Sequence, residues 1–203
     1  MMMIWNGIGQ MKCLKEDVNM INIQGNKKRF IAVAQRFISR DGIKDVLLGL
    51  EKSDFFTAPA STRFHDSEEG GLCHHSLRVY DMLYADLGAT VSMESIVLVA
   101  LFHDICKIGY YTVEMRNNKN EQGKWEKVPY YGVDDKLPFG HGDKSVFLLM
   151  QDIKLTMDEA MAIRWHMGLS VPKEEYSTMS KAFTEFPLAL HLHIADMKAT
   201  YLK

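Results

Sequence analysis

Residues 96–104, IVLVALFHD, place seven consecutive apolar residues directly before a histidine and an aspartate. A helix that is apolar on all sides is buried in a protein core. Ionisable groups at the end of such a helix are costly unless they are paired or bind a metal. Because imidazole beside carboxylate is a common ligand combination for divalent transition metals, the stretch predicts a buried helix that leads into a metal site at His103 and Asp104.

Composition limits the class of protein. The 203-residue chain is 47% hydrophobic and 25% charged, as expected for one globular domain with a substantial core. Its net charge of −2 provides no overall basic field for long nucleic acid or an anionic membrane, and its apolar runs are too short to span a bilayer. Three widely spaced cysteines and the absence of a secretory signal pattern in residues 1–10 predict a cytoplasmic location.

Hydrophobic periodicity predicts an all-α domain over residues 27–203, preceded by a loosely ordered extension over residues 1–26. Met20 is an alternative to Met1 as the natural start. Predicted helices begin at residue 27 and cover residues 41–52 (with Asp41 as N-cap), 72–87, 92–107, 141–153, 156–167 and 187 to the C-terminus, and residues 55–71 are predicted to form a loop.

A β-hairpin is predicted within this helical pattern. Residues 110–116 and 125–131 favour strands, and a polar turn lies between them, so we expect an inserted hairpin over residues 110–132. Its aromatic residues are expected to pack the hairpin onto the helices, with stacking on a nucleobase as the alternative.

Two further residues complete a candidate ligand set with His103 and Asp104. His75 lies early in the third predicted helix, with His74 as the alternative, and Asp196 lies on the last helix. Two imidazoles and two carboxylates without a thiolate suit Mn, Fe, Co, Ni or Zn in roughly octahedral geometry, with Mg as an alternative.

The ordered series His75, His103-Asp104, Asp196 resembles the H…HD…D signature of the HD superfamily of metal-dependent phosphohydrolases. Residues 70–77, GGLCHHSL, resemble the GGLxxHS pattern of many members, and residues 103–107, HDICK, resemble HDxxK. The resemblance covers roughly residues 30–201 and leaves the hairpin outside.

The resemblance implies a helical HD-domain bundle and metal-dependent hydrolysis of a phosphate ester by hydroxide formed at the metal. The implied substrate is a small phosphorylated molecule, most simply a nucleoside monophosphate or triphosphate. A phosphodiesterase or 3′-exonuclease of the same fold is one alternative, and a non-catalytic metal or nucleotide sensor is the other. The sequence leaves the metal, the base and the oligomeric state open.

Some HD families also carry histidines that hold a second metal. His141 and His166 fall where such ligands would lie, but Met167 follows His166 where the two-metal phosphodiesterase branch has a second histidine, and no GYP motif occurs. Contact with phosphate or water is therefore the alternative role for both histidines. His65, His191 and His193 are expected not to be ligands.

Three basic residues are candidates for contacting phosphate. Lys107 follows Asp104 by about one helical turn on the same face, with capping of the helix C-terminus as the alternative. Arg78 follows His75 by three residues, with an ion pair to Asp81 as the alternative. Lys144 is a weaker substrate-binding candidate, for which a solvated surface charge is the default. Asp104 is expected both to bind the metal and to orient the attacking water.

Overall fold

A computed structural model describes residues 21–88 and 90–202, together with the backbone of two short antiparallel strands, β1 (Ile4–Trp5) and β2 (Met11–Lys12). Most of the predicted extension over residues 1–26 therefore lies outside the described residues. The chain is mainly helical, as predicted. In the described part, the α-helices are α1 (Ile23–Phe37), α2 (Ile43–Lys52), α3 (Gly71–Leu87), α4 (Met93–Phe102), α5 (His141–Leu149), α6 (Met157–Trp165), α7 (Tyr176–Glu185) and α8 (Pro187–Tyr201).

Helix α4 forms the centre of the domain. All seven residues of the apolar run 96–102 are fully buried, because α1, α3 and α6 pack around them. Complete burial of one large aliphatic side chain contributes roughly 1.5–3 kcal/mol. Helix α8 packs against both α3 and α6. The end of α4 thereby lies beside the start of α3 and the end of α6, because the His75 and His166 rings lie 5.5 and 4.8 Å from the His103 ring.

The fourth helix is shorter than predicted. It ends at Phe102, and residues Ile105–Lys107 form a separate 3-10 turn closed by a hydrogen bond from Lys107 N to the Asp104 carbonyl. The predicted helix over 92–107 is therefore wrong in its last turn. Tertiary contacts of the His103 and Asp104 side chains replace the regular helical continuation there.

The start of the second helix also differs from the prediction. Gly42, not Asp41, is the N-cap of α2, and it has a left-handed φ of +88°. A Cβ at this position would lie 1.7 Å from the Asp152 carbonyl oxygen, so the tight approach to the α5–α6 connection requires glycine. Helix α1 likewise starts at Ile23, four residues before the predicted position, because the Asn22 side chain accepts a hydrogen bond from Gly25 N.

Helix α6 begins with the capping box that its sequence predicts. The Thr156 hydroxyl accepts from Glu159 N, and the Glu159 carboxylate accepts from Thr156 N. The fully buried Glu159 carboxylate also receives two hydrogen bonds from Arg40 and one from Ser95. One carboxylate thus joins the start of α6 to the α1–α2 connection and to α4.

The inserted hairpin is present at residues 111–133, one residue later than predicted, and each of its strands is longer than predicted. Strands β3 (Tyr111–Lys119) and β4 (Trp125–Val133) pair antiparallel, with Tyr111 opposite Val133 and Lys119 opposite Trp125. Most of its residues are exposed, and the Tyr111 hydroxyl donates to the Ala60 carbonyl at 2.9 Å. Within residues 21–88 and 90–202, no helix is both long and apolar enough to cross a lipid bilayer.

Candidate metal centre

His75 enters the site from near the start of α3. A Cβ at Gly71 would lie 1.9 Å from the Asp66 carbonyl oxygen, so glycine allows the preceding loop to close tightly onto the helix start. His75 is buried, whereas His74 is partly exposed and contacts Asp66 at 3.2 Å. Of the two neighbouring histidines, His75 is therefore the one that faces the site.

The Asp104 carboxylate is the centre of the cluster. Its Oδ2 lies 2.7 Å from Lys107 Nζ and 3.4 Å from His103 Nε2. Its Oδ1 lies 2.7 Å from His141 Nε2 and 3.6 Å from His166 Nε2. Asp104 is 2% exposed. One buried carboxylate therefore faces three imidazoles and one ammonium group.

Two groups of side chains have the spacing needed to hold a cation. In one group, His75, His103 and Asp104 each offer a ligand atom, and these atoms all lie within 4.8 Å of one another. In the other group, Asp104, His141 and His166 satisfy the same condition. Both groups use Asp104. The structure thus places His141 and His166, the sequence candidates for a second metal, at this carboxylate.

The orientation of two histidine rings favours metal binding. His103 Nδ1 lies 2.9 Å from the Ala100 carbonyl oxygen, and His166 Nδ1 lies 2.7 Å from the Ile163 carbonyl oxygen. A carbonyl oxygen only accepts, so each Nδ1 carries a proton and donates it. In the neutral rings, the Nε2 lone pairs are then free. A hydrogen bond from the other ring nitrogen to a backbone carbonyl is typical of metal-binding histidine.

The Nε2 atoms of His103 and His166 are unusual because they are buried polar atoms without a hydrogen-bond partner among the described residues. Each lies near an Asp104 oxygen at a separation slightly longer than a hydrogen bond. Two ligands about 2.1 Å from one cation at right angles would lie about 3 Å apart. The donor set therefore fits a bound metal ion, with two imidazole nitrogens and one carboxylate oxygen in each ligand group.

The charged groups around Asp104 shift one another's pKa values. Burial opposes ionisation of Asp104, but Lys107 and His103 outweigh it and hold its pKa well below the usual range. Burial opposes protonation of His141, but its hydrogen bond to Asp104 raises its pKa to about 10. Burial lowers the pKa of His166. Without a cation, the carboxylate therefore retains a proton on His141, which a metal would displace.

Asp196 and His193 reach the cluster from α8. Asp196 Oδ1 lies 2.9 Å from His75 Nε2, so this predicted ligand is in direct contact with another ligand candidate. Burial opposes ionisation of Asp196, and the contact with His75 lowers its pKa. His193 Nδ1 lies 2.7 Å from the His166 carbonyl oxygen. His193 therefore supports the backbone that carries His166 and is not itself grouped with the ligands.

The predicted basic contacts differ in their surroundings. Lys107 is buried at the site, where its ammonium group donates to Asp104 and to the Ala60 carbonyl, each at 2.7 Å. Arg78 instead donates to the Leu202 carbonyl, and Asp81 is paired with Arg29, so the alternative Arg78–Asp81 ion pair is wrong.

Lys144 is not a solvated surface residue. It is 6% exposed, its Nζ lies 2.6 Å from Asp135, and it lies over the Tyr110 ring. The default expectation for Lys144 was therefore wrong. Its charge is compensated by Asp135, and it lies on α5 one turn after His141.

Three contributions to the site were not expected from the sequence. The His65 ring lies 4.7 Å from the His75 ring, the Cys106 sulfur lies 3.5 Å from His141 Nδ1, and the Ala60 carbonyl accepts from Lys107 and Tyr111. Burial, followed by the charges of His75 and Lys107, lowers the pKa of His65 to about 4. Ala60 and His65 lie in the loop between α2 and α3, which has no periodic pattern that would have indicated their positions.

Comparisons with known proteins identify no relative. The chain matches no protein-family model, no curated protein and no solved structure. The geometry of the cluster and the sequence motifs are therefore the basis for a functional proposal.

Proposed function

We propose that this protein is a metal-dependent phosphohydrolase of the HD superfamily. The observation that carries the proposal is the sharing of the buried Asp104 carboxylate between two histidine-containing groups, with the Lys107 ammonium group at 2.7 Å. Anionic phosphate esters need positive charge around the reacting phosphorus, and this cluster concentrates cation ligands and one fixed cation in a single place.

Divalent cations held by these residues would lower the pKa of bound water and neutralise a phosphoryl oxygen. The residues of the chain have separate tasks. His75 and His103 on one side, and His141 and His166 on the other, present ring nitrogens to the Asp104 carboxylate. Lys107 holds Asp104 in place and adds positive charge toward the phosphoryl group. The Ala60 carbonyl fixes the orientation of Lys107.

A nucleotide is the substrate class that we propose. A cavity of about 420 Å³ lies between the loop after α2 and the hairpin, and its lining includes Thr62, Ser67, Arg116, Tyr130 and Tyr131. This volume is within the range of small-ligand sites, and aromatic rings with one arginine suit a base and a sugar. The hairpin that lines this cavity also contacts the metal centre, because the Tyr111 hydroxyl and the Lys107 ammonium group donate to the same Ala60 carbonyl.

A phosphodiesterase or 3′-exonuclease activity is the second candidate. The specific observation in its favour is the second ligand group, Asp104, His141 and His166. Sites with two metals are common in nucleases and phosphatases, because the cations stabilise both the attacking and the leaving oxygen. The non-catalytic sensor remains the rival from another class, and only a turnover assay separates it from the enzymes.

The experiment is a hydrolysis screen with purified protein reconstituted with Mn, Co, Ni or Zn. Nucleoside mono- and triphosphates, a generic phosphodiester and a short 3′-end-labelled oligonucleotide should be compared. We expect turnover that needs metal and is lost in Asp104→Asn, while the control Glu185→Gln, at an exposed ion pair on α7, retains it. Absence of turnover with every metal and substrate class would favour the sensor and refute the enzyme proposal.

A further inference from the structure

His65 has an unusual environment for a loop histidine. Both ring nitrogens are shielded from solvent, and neither has a hydrogen-bond partner in the described part of the chain. Leaving buried donors and acceptors unpaired is costly, and such groups in folded proteins call for an explanation. An absent ligand that bonds to the ring would provide one.

The position of His65 indicates where that ligand would lie. Its ring is tilted against the His75 ring with centroids 4.7 Å apart, and the His75 ring is 5.5 Å from that of His103. His65 is not part of either ligand group around Asp104. The ring therefore borders the metal centre without being placed as a ligand.

The backbone around His65 is held firmly against the site. The His65 carbonyl accepts from the Ser61 hydroxyl at 2.8 Å, and Ala60 N donates to the Asp66 carbonyl at 2.9 Å. The Ala60 carbonyl accepts from Lys107. The loop that carries His65 is thus joined through hydrogen bonds to the same lysine that contacts Asp104.

The charges at this border favour an anion. The Lys107 ammonium group donates to the Ala60 carbonyl in the loop that carries His65. Cations held by the neighbouring ligand groups would add further positive charge. A neutral imidazole offers one N–H donor and one acceptor, and a phosphoryl oxygen is an acceptor that could approach from the metal side. We propose that His65 is a further substrate-binding residue, which donates a ring N–H to a non-bridging oxygen of the phosphoryl group held at the metal centre.

This inference rests on the proposed function for its ligand, but it can be tested without turnover. The probe is inorganic phosphate, titrated calorimetrically into full-length protein reconstituted with Mn or Co. The variants are His65→Phe, which keeps a ring without polar atoms, and His65→Gln, which keeps an N–H donor on a side chain without a ring. His191→Gln is the matched control, because His191 pairs with Asp86 near the far end of α3 and contacts none of the ligand candidates.

We expect phosphate binding to weaken about tenfold or more in His65→Phe, because a hydrogen bond to a charged acceptor is lost, with a smaller loss in His65→Gln. Metal content should equal that of the wild type. The melting temperature of metal-free His65→Phe should not fall, since the substitution removes two unpaired buried polar atoms. The control should bind phosphate like the wild type.

Three results would overturn the inference. They are phosphate affinity within twofold of wild type in both His65 variants, loss of metal from both variants, and failure of the metal-loaded wild type to bind phosphate. The first would assign His65 to packing and the second would make it a metal ligand. If phosphate binding depends on His65 but no ester is hydrolysed, the inference stands and the proposed enzymatic function fails.

Discussion

Replacement of Asp104 by asparagine tests the charge arrangement at the centre of the protein. The Asp104→Asn substitution would keep the shape of the side chain but remove the negative charge that Lys107 contacts at 2.7 Å. The Asp104 side chain is 3% exposed and that of Lys107 is 12% exposed, so water cannot replace the lost carboxylate. The remaining partners of the ammonium group would both be neutral, namely the Ala60 carbonyl and the amide oxygen of the introduced asparagine.

The expected cost follows from this burial. Removing one partner of a buried ion pair lowers the free energy of unfolding by about 3–5 kcal/mol, since it leaves the other charge uncompensated. For a domain of this size, about 2–4 °C of melting temperature corresponds to each kcal/mol. Metal-free Asp104→Asn should therefore melt roughly 6–20 °C below the wild type.

The assay is urea and thermal unfolding followed by circular dichroism, with a chelator present so that metal binding does not contribute. Glu185→Gln is the control, because its pair with Lys181 is more than half exposed on both sides. It should change the free energy of unfolding by less than about 0.5 kcal/mol. A loss below about 1 kcal/mol in Asp104→Asn would refute the argument that Lys107 depends on this carboxylate.

Two further predictions concern parts of the fold away from the metal centre. Gly42→Ala should lower the free energy of unfolding by more than about 1 kcal/mol, because Gly42 has a positive φ and a Cβ there would clash with the Asp152 carbonyl. Gly49→Ala should instead raise the free energy of unfolding by about 0.5–1 kcal/mol, because a Cβ there meets nothing within 4 Å. Denaturant melts would contradict this pair of predictions if Gly42→Ala proved the more stable variant. Burial opposes ionisation of Glu159, but hydrogen bonds from Arg40 and Ser95 outweigh it and lower the pKa of Glu159. The ionised carboxylate therefore stabilises the fold at pH values above the ordinary glutamate pKa of about 4.3, and this contribution is lost as the pH falls through the lower pKa of the folded state. The difference in unfolding free energy between wild type and Glu159→Gln should therefore shrink between about pH 7 and pH 3, and a constant difference would count against this linkage.

The sequence predicted the elements whose signals are local. The apolar run before His103 identified the buried helix, the Thr156–Glu159 pattern identified the start of α6, and polar residues around 117–123 identified the hairpin turn. Each of these features depends on the types of side chain at positions that are close together in the sequence. The order of His75, His103-Asp104 and Asp196 along the chain likewise identified side chains that the structure brings together.

Other features depend on contacts between distant residues and could not be predicted from spacing. The sequence does not predict helix α7, because the segment lacks a clear N-terminal signal and the helix buries only Met179 and Ala182. The fourth helix ends early because the Asp104 carboxylate contacts Lys107 and His141, and His141 comes from a segment 37 residues away. The burial and pairing of Lys144 could not be predicted, because its partner Asp135 is nine residues before it. This spacing does not indicate an ion pair within a helix.

The most direct test of the central claim is metal content per chain after reconstitution with Mn or Co and removal of free metal. We expect two ions in the wild type, one in His75→Ala, one in His166→Ala, and none in Asp104→Asn, because both ligand groups use Asp104. Circular dichroism should confirm that each variant is folded. A wild-type protein without metal, or a folded Asp104→Asn variant with wild-type metal content, would contradict the account.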